Sequence, residues 1–174
     1  GKLPDTIAYE ISDYPSDKFF GSGDMDCYGE DIYVGYRYFE TFAKDRVRFP
    51  FGFGMSYTSF DIAASDFKLD GDKVTGSVNV KNTGSTPGRE VVQIYCSAPQ
   101  GKLGKPARVL CGFDKTRTLQ PGESQTITMN VDMSLLASYD SQNAKTFIVD
   151  PGDYYFAIGS DAHDALNNIL AAQG

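Results

Sequence analysis

The feature that most constrains the fold is a series of short segments, from Tyr57 onward, in which apolar and polar residues alternate. Residues 74–80 and 127–131 both place Val, Ile or Met at every second or fourth position. A strand with this period buries one face and leaves the other in water. Turn-forming residues separate the segments, notably at 70–72 and 82–88. This part of the chain is therefore predicted to form an antiparallel β-sandwich.

Other segments complete the predicted sandwich. Residues 91–96 carry apolar side chains on both faces, which is typical of a central strand. Residues 161–170 carry apolar side chains at helical spacing, so a helix is expected there. The remaining expectations are a first strand at 60–67, one helical turn or a corner at 133–139, and closure of the sandwich by 147–149 and 154–158 around a turn at 150–153.

An aromatic-rich stretch precedes the sandwich. Residues 32–39 combine β-branched and aromatic side chains and are predicted to form a strand. Residues 49–57 are interpreted as a rigid connector, because Pro50 fixes its own φ and two glycines permit unusual backbone angles. In an extended connector one face would pack on the sandwich (Phe49, Phe51, Phe53, Met55 and Tyr57), and the opposite face would allow another backbone to come close (Pro50, Gly52 and Gly54).

These residues carry a resemblance to a known family. The run IYVGYRYFE followed by FPFGFGMSYTSF resembles glycoside hydrolase family 3, the β-glucosidase and β-xylosidase family, where a similar run leads into a Phe-Pro-Phe-Gly-x-Gly-Leu-Ser-Tyr-Thr connector. Met55 stands where Leu is usual, which nearly conserves volume. Further similar motifs lie on both sides: GKLP at 1–4, KNTG at 81–84, GREVVQIY at 88–95, LCGF at 110–113 and PGES at 121–124.

The resemblance implies a mainly β fold, in which a fibronectin III/immunoglobulin-like β-sandwich follows the terminal piece of an α/β sandwich domain. The implied divisions are residues 1–48 for that terminal piece, 49–57 for the connector, 58–160 for the β-sandwich and 161–174 for a tail. The family's barrel and the rest of the α/β domain would be partners of this segment. Five residues are candidates for structural or interdomain contacts: Tyr36, Arg37, Phe49, Phe51 and Phe53.

The resemblance also implies that the segment itself is not catalytic. A parent enzyme would hydrolyse β-linked glucosides or xylosides with retention, which requires two carboxylates roughly 5 Å apart. The family's nucleophile lies in a Ser-Asp-Trp motif, and this chain contains no Trp. The family's acid/base Glu lies earlier than the motifs found here. For Glu30 and Glu40, structural or solvated roles are therefore favoured over catalytic ones.

Neither a metal nor a cofactor is expected. The acidic run at 24–31 resembles a calcium loop, but Gly35 stands at the twelfth position, where a bidentate Glu is required. The single histidine and three cysteines are too few for a Cys/His zinc site, and free thiols are favoured over a disulfide. Arg37 lies among tyrosines, where a structural clamp is favoured over a sugar contact.

Charge limits the other partners. The net charge is −7, which opposes binding to nucleic acid or to an anionic membrane. The first residues have no apolar stretch suited to a signal peptide, so a cytoplasmic location is favoured over export. Export stays open, because the sequence starts in the middle of a motif. Two other functions remain as alternatives: an independent carbohydrate-binding module, and a protein-interaction β-sandwich without a sugar role.

Overall fold

Two antiparallel sheets form the centre of the molecule. The computed structural model describes residues 1–21, 23–25, 27–65 and 67–173. One sheet has four strands, with β5 paired to β8 along one edge and to β3 and β4 along the other. The second sheet has three strands in the order β11-β6-β7. The strands of the two sheets are β3 (Phe60–Ala64), β4 (Lys68–Asp70), β5 (Lys73–Asn82), β6 (Val91–Ser97), β7 (Val109–Lys115), β8 (Ser124–Asp132) and β11 (Tyr155–Gly159).

Smaller elements surround these sheets. A two-stranded ladder pairs β1 (Ile7–Ala8) with β2 (Val47–Phe49), and another pairs β9 (Ser138–Asp140) with β10 (Thr146–Ile148). The two α-helices are α1 (Tyr36–Phe42) and α2 (Ala162–Gln173). Short 3₁₀ helices occupy Ile11–Asp13, Pro15–Phe19, Lys44–Arg46 and Met133–Leu136.

The predicted alternation places the core between the two sheets. Val78 and Val80 of β5 are fully buried and pack with Val131 of β8. Val92 and Ile94 of β6 enter the same cluster from the opposite sheet. The polar residues between these positions form exposed cross-strand pairs instead, as Thr75 Oγ1 does by donating to Asn130 Oδ1. The prediction of a mainly β fold with a sandwich core is confirmed.

Strand β6 is central, as its sequence predicts, and both of its faces are covered. Val92 and Ile94 face the sandwich core, whereas Tyr95 belongs to a second buried cluster on the other side of the sheet. Ala162 and Ala165 of α2 pack in that second cluster. The helix predicted near the end of the chain therefore lies on the outer face of the three-stranded sheet, where its small residues permit close contact.

The predicted strand at 32–39 is wrong. Gly35, with φ of +57°, precedes the α-helix Tyr36–Phe42. Phe39 is fully buried and meets the ring of Tyr14 edge-on at 5.2 Å between centroids. A run that is aromatic at nearly every position suits a helix and a strand equally well, so tertiary contacts override the β-propensity of its residues.

The predicted apolar face of the connector is also partly wrong. Residues 50–53 form a tight turn, in which the amide of Phe53 donates to the carbonyl of Pro50 at 3.0 Å. The turn ends the alternation, because Gly52 adopts φ of +88° rather than an extended conformation. Met55 and Tyr57 consequently remain exposed at 87% and 99% instead of packing on the sandwich.

The expected closure around residues 150–153 differs in its pairing. Tyr155–Gly159 completes the three-stranded sheet beside β6, as expected. Thr146–Ile148, however, does not join either sheet of the sandwich. It pairs with Ser138–Asp140 in a separate hairpin, whose turn is held by the Asp140 carboxylate accepting from the amides of residues 142–144.

Candidate interdomain seam

The second buried cluster lies where residues 1–57 meet the sandwich, a contact that we call the seam. Tyr36 of α1 and Phe51 of the connector pack together, with 4.9 Å between ring centroids. Tyr36 also meets Tyr95 of β6 edge-on at 6.1 Å. Its hydroxyl accepts a hydrogen bond from the backbone amide of Leu110 at 2.9 Å. Three segments that are distant in sequence therefore share one aromatic cluster, which suits rigid contact.

The Gln93 side chain and the Asp161 backbone come unusually close to Gly52. A Cβ at this position would lie 2.7 Å from the Gln93 side chain and 3.0 Å from the Cα of Asp161. Gln93 is itself fixed, since its Nε2 donates to the Ser160 carbonyl at 3.0 Å and its Oε1 accepts from the Tyr95 hydroxyl at 2.6 Å. Glycine is required at position 52 for both its positive φ and this close approach.

The first residues of the chain are also fixed at the seam. The Leu3 amide donates to the Phe53 carbonyl at 2.8 Å, and the Gly52 amide donates to the Leu3 carbonyl at 2.9 Å. Lys2 Nζ lies 3.0 Å from Glu90 Oε1, and both side chains are largely buried. The Ala162 amide donates to the Phe51 carbonyl at 2.9 Å, so the connector is hydrogen-bonded both to the first residues of the chain and to the start of α2.

A buried arginine of the sandwich connects the two helices. Arg108 is 1% exposed, and its Nη1 lies 3.4 Å from Glu40 Oε2 of α1. The same nitrogen donates to the carbonyl of Ala162 in α2, while Nη2 donates to the Glu40 carbonyl at 3.4 Å. His163 Nδ1 is the second neighbour of Glu40 Oε2, also at 3.4 Å. One guanidinium thus joins α1, α2 and the start of β7.

Burial controls the protonation of this ion cluster. Removal from water raises the pKa of Glu40, although the nearby charge of Arg108 opposes the shift. Burial likewise lowers the pKa of Arg108 to about 10, against the opposing effect of Glu40. Both directions show that desolvation outweighs the attraction between the partners, as is common for buried ion pairs. The ion pair is therefore weak evidence for stability.

The structure separates the five candidate contact residues into three places. Tyr36 and Phe51 lie together in the seam, whereas Phe49 and Phe53 form their own ring pair, with 4.9 Å between centroids. Arg37 lies apart from both groups and lines a cleft at one end of the sandwich. Glu30 is half-buried, in contrast to the fully buried carboxylate of Glu40.

Sequence reasoning missed several residues of the seam. Arg108 is the most important of them, and its signal is an arginine immediately before the apolar start of β7. A charged residue at such a position requires a partner when it is buried. The identities of its partners, the Glu40 carboxylate and the Ala162 carbonyl, could not be inferred, because they are 68 and 54 residues away in sequence.

Other chemistry is limited. All three cysteines are free thiols, and burial raises the pKa of Cys111 to about 12 and raises that of Cys96 as well. These two thiols therefore stay protonated at neutral pH. Among the residues that the structure describes, no group of three or more His, Cys, Asp or Glu side chains could hold a metal ion. Within the same residues, no helix is long and apolar enough to cross a membrane.

A family model matches part of the chain. Residues 90–162 match the fibronectin type III-like domain, which includes β6, β7, β8, β11 and the start of α2. The match therefore covers the sandwich side of the seam, including Arg108 and Tyr95.

Relatives extend the match to the rest of the chain. The chain is 58% identical over 169 residues to a β-glucosidase of Ruminococcus albus, covering 95% of this chain and 18% of the relative. It matches a solved β-glucosidase from Paenibacillus barengoltzii at 50% identity and TM-score 0.90, covering 94% of this chain and 19% of that one. It matches a Bifidobacterium adolescentis GH3 β-glucosidase at 32% identity and TM-score 0.84, covering 95% and 24%. The chain is thus similar to β-glucosidases, among them a glycoside hydrolase family 3 enzyme, and it spans about a fifth of the length of the curated relatives it matches.

Proposed function

We propose that this chain is a non-catalytic bracing segment of a family 3 β-glucosidase-like enzyme. In this proposal residues 1–48 are the end of an α/β sandwich domain, and residues 58–160 form the fibronectin III-like domain. Residues 49–57 connect these two parts, and residues 161–174 are a tail after the second. The parent enzyme hydrolyses β-glucosides or β-xylosides with retention. The segment holds its catalytic domains in a fixed orientation.

The observation that carries the proposal is the position of Arg108. Its guanidinium is fully buried and contacts both α1, from the piece before the connector, and α2, from the end of the chain. A hinge between two mobile domains would expose such a contact to water. The combination of buried charge, aromatic packing and a glycine without room for a Cβ supports a fixed joint instead.

The non-catalytic part of the proposal is tested by assay of the 174-residue chain. We expect no hydrolysis of aryl β-glucosides or aryl β-xylosides at high protein concentration, because Glu40 is enclosed by the seam and the chain has no Trp for the family's Ser-Asp-Trp nucleophile motif. Turnover that persists through purification and disappears in Glu30→Gln or Glu40→Gln would refute this part.

The bracing part is tested in the longer enzyme. Arg108→Met should lower both the melting temperature and the glycosidase activity, since it loosens the joint that orients the catalytic domains. Arg117→Met is the matched control, because Arg117 is a half-exposed arginine of the same sandwich whose surface ion pair with Glu123 lies outside the seam. Equal effects of the two substitutions would contradict a bracing role for the seam.

A further inference from the structure

A cleft of about 570 Å³ opens at one end of the sandwich. Its walls come from the residues before and within α1, the loop that precedes β7, and the β9–β10 hairpin. We call it the end cleft, and the residues that matter for its chemistry are Asp31, Arg37, Tyr139 and Phe147. Its volume is in the range of small-molecule sites, about 300–1,000 Å³. Loops at the end of a rigid sandwich commonly carry binding residues.

Two aromatic rings form one wall of the end cleft. Tyr139 and Phe147 are cross-strand neighbours in the β9–β10 hairpin, and their rings meet edge-on with 5.2 Å between centroids. They are 53% and 69% exposed, although burial of a large aromatic side chain is favourable. Their side chains are therefore available to a ligand that has an apolar face.

Arg37 supplies unused hydrogen-bond donors. It is half-buried, yet its guanidinium has no ion pair, hydrogen bond or stacked ring among the described residues. The other arginines of the described chain each have such a contact: Arg46 with Asp13, Arg48 with Phe49, Arg89 with Thr116, Arg108 with Glu40 and Arg117 with Glu123. A guanidinium with five donors and no acceptor suits a ligand with several oxygen atoms.

The charges of the end cleft favour a neutral ligand. Asp31 lines the same cleft and offers carboxylate acceptors, so an anion drawn to Arg37 would meet a repelling charge. Lys105, the other cation of the cleft, is already paired with Asp150. A donor group, an acceptor group and two rings together match a pyranose, whose hydroxyls both donate and accept and whose C–H groups form an apolar face.

We propose that the end cleft binds a neutral saccharide, with a pyranose ring on Tyr139 and Phe147 and its hydroxyls bonded to Arg37 and Asp31. The choice of β-linked glucose or xylose units as ligands rests on the proposed function. The cleft adjoins the seam, since Arg37 lies on the same short helix as Glu40, but neither Glu40 nor Arg108 lines it.

Titration of the 174-residue chain with cellobiose and with xylobiose tests the proposal, by calorimetry and by amide chemical shifts. We expect saturable shifts at the β9–β10 hairpin and around Arg37, with a dissociation constant in the millimolar range, about 1 mM, because the site is small and open. Phe147→Ala and Arg37→Met should each weaken binding about tenfold or more. Phe113→Ala is the control, because Phe113 is equally exposed on β7 but lies outside the end cleft.

Several results would overturn the proposal. One is the lack of saturable shifts at the end cleft in the folded wild-type chain, which does not depend on any variant. Another is equal binding by wild type and Phe147→Ala, with both proteins shown to be folded by circular dichroism. Protection of Tyr139 and Phe147 from hydroxyl-radical labelling in the sugar-free longer enzyme would assign the cleft to domain packing instead. The bracing role of the seam is tested separately by the Arg108 and Arg117 variants.

Discussion

Replacing Arg108 with Met removes the charge at the centre of the seam and nearly preserves its volume. The carboxylate of Glu40 then remains fully buried without a strong cationic partner, because the other groups that act on it are His163, whose side chain is partly exposed, and the repelling carboxylate of Asp161. Removing one partner of a buried pair costs about 3–5 kcal/mol. We expect Arg108→Met to lower the free energy of unfolding by that amount at pH 7.

Protonation of Glu40 sets how this cost depends on pH. Neutralising a carboxyl with an ordinary pKa of 4.5 at pH 7 costs about 3.4 kcal/mol, at 1.36 kcal/mol per pH unit. The same step at pH 5 costs about 0.7 kcal/mol. In the folded variant, the Glu40 carboxylate can take up a proton and so lose its unpaired charge. The electrostatic loss in Arg108→Met should therefore shrink by up to about 2.7 kcal/mol between pH 7 and pH 5.

Urea unfolding followed by far-ultraviolet circular dichroism at the two pH values measures these changes. The double variant Arg108→Met with Glu40→Met should recover most of the loss, since an apolar pair replaces the buried ions. Arg117→Met should shift stability by less than about 1 kcal/mol. A loss below about 1 kcal/mol for Arg108→Met at pH 7, or a double variant as unstable as the sum of the single ones, would refute the reasoning.

Three further measurements probe the same contact. Gly52→Ala should destabilise the chain by about 1–3 kcal/mol in urea unfolding, because alanine disfavours the positive φ and its Cβ meets Gln93 and Asp161. Phe51→Ala should cost about 3 kcal/mol, whereas Met55→Ala should change stability by less than about 0.5 kcal/mol because Met55 is exposed. The raised pKa of Glu40 means that its protonated form favours folding below about pH 4.5, and that this contribution is lost as the pH rises through the folded value. A pH series of unfolding curves should show that decline in the wild type and a flatter profile in Glu40→Gln.

The sandwich could be predicted because its residues have a clear period. Alternation at 74–80 and 127–131 identified both the strands and their buried faces, since a one-residue shift would expose every valine. The apolar side chains on both faces of 91–96 identified the central strand for a similar reason. These signals are local, so a single sequence is sufficient to find them.

The helix α1 and the seam could not be predicted in the same way. The residues Tyr36–Phe42 become helical because Phe39 and Tyr36 find partners far away in sequence, at Tyr14 and Leu110. The alternation of apolar side chains in the connector stops for a related reason. Pro50 and a glycine with positive φ produce a turn, and a turn breaks the two-residue period on which the packing of Met55 and Tyr57 was predicted.

The composition of the seam explains why a charge cluster lies where an apolar contact would be more stable. An apolar surface between two segments tolerates small rotations, because dispersion and burial have little directional preference. The guanidinium of Arg108, in contrast, donates to the carbonyl of Ala162 and lies beside the carboxylate of Glu40 only when α1 and α2 have one relative position. Burial raises the energy of every other arrangement, since each would leave an ion without its partner. Burial opposes the charged forms of both Glu40 and Arg108, so we infer that the cluster acts less by adding stability than by selecting that one orientation.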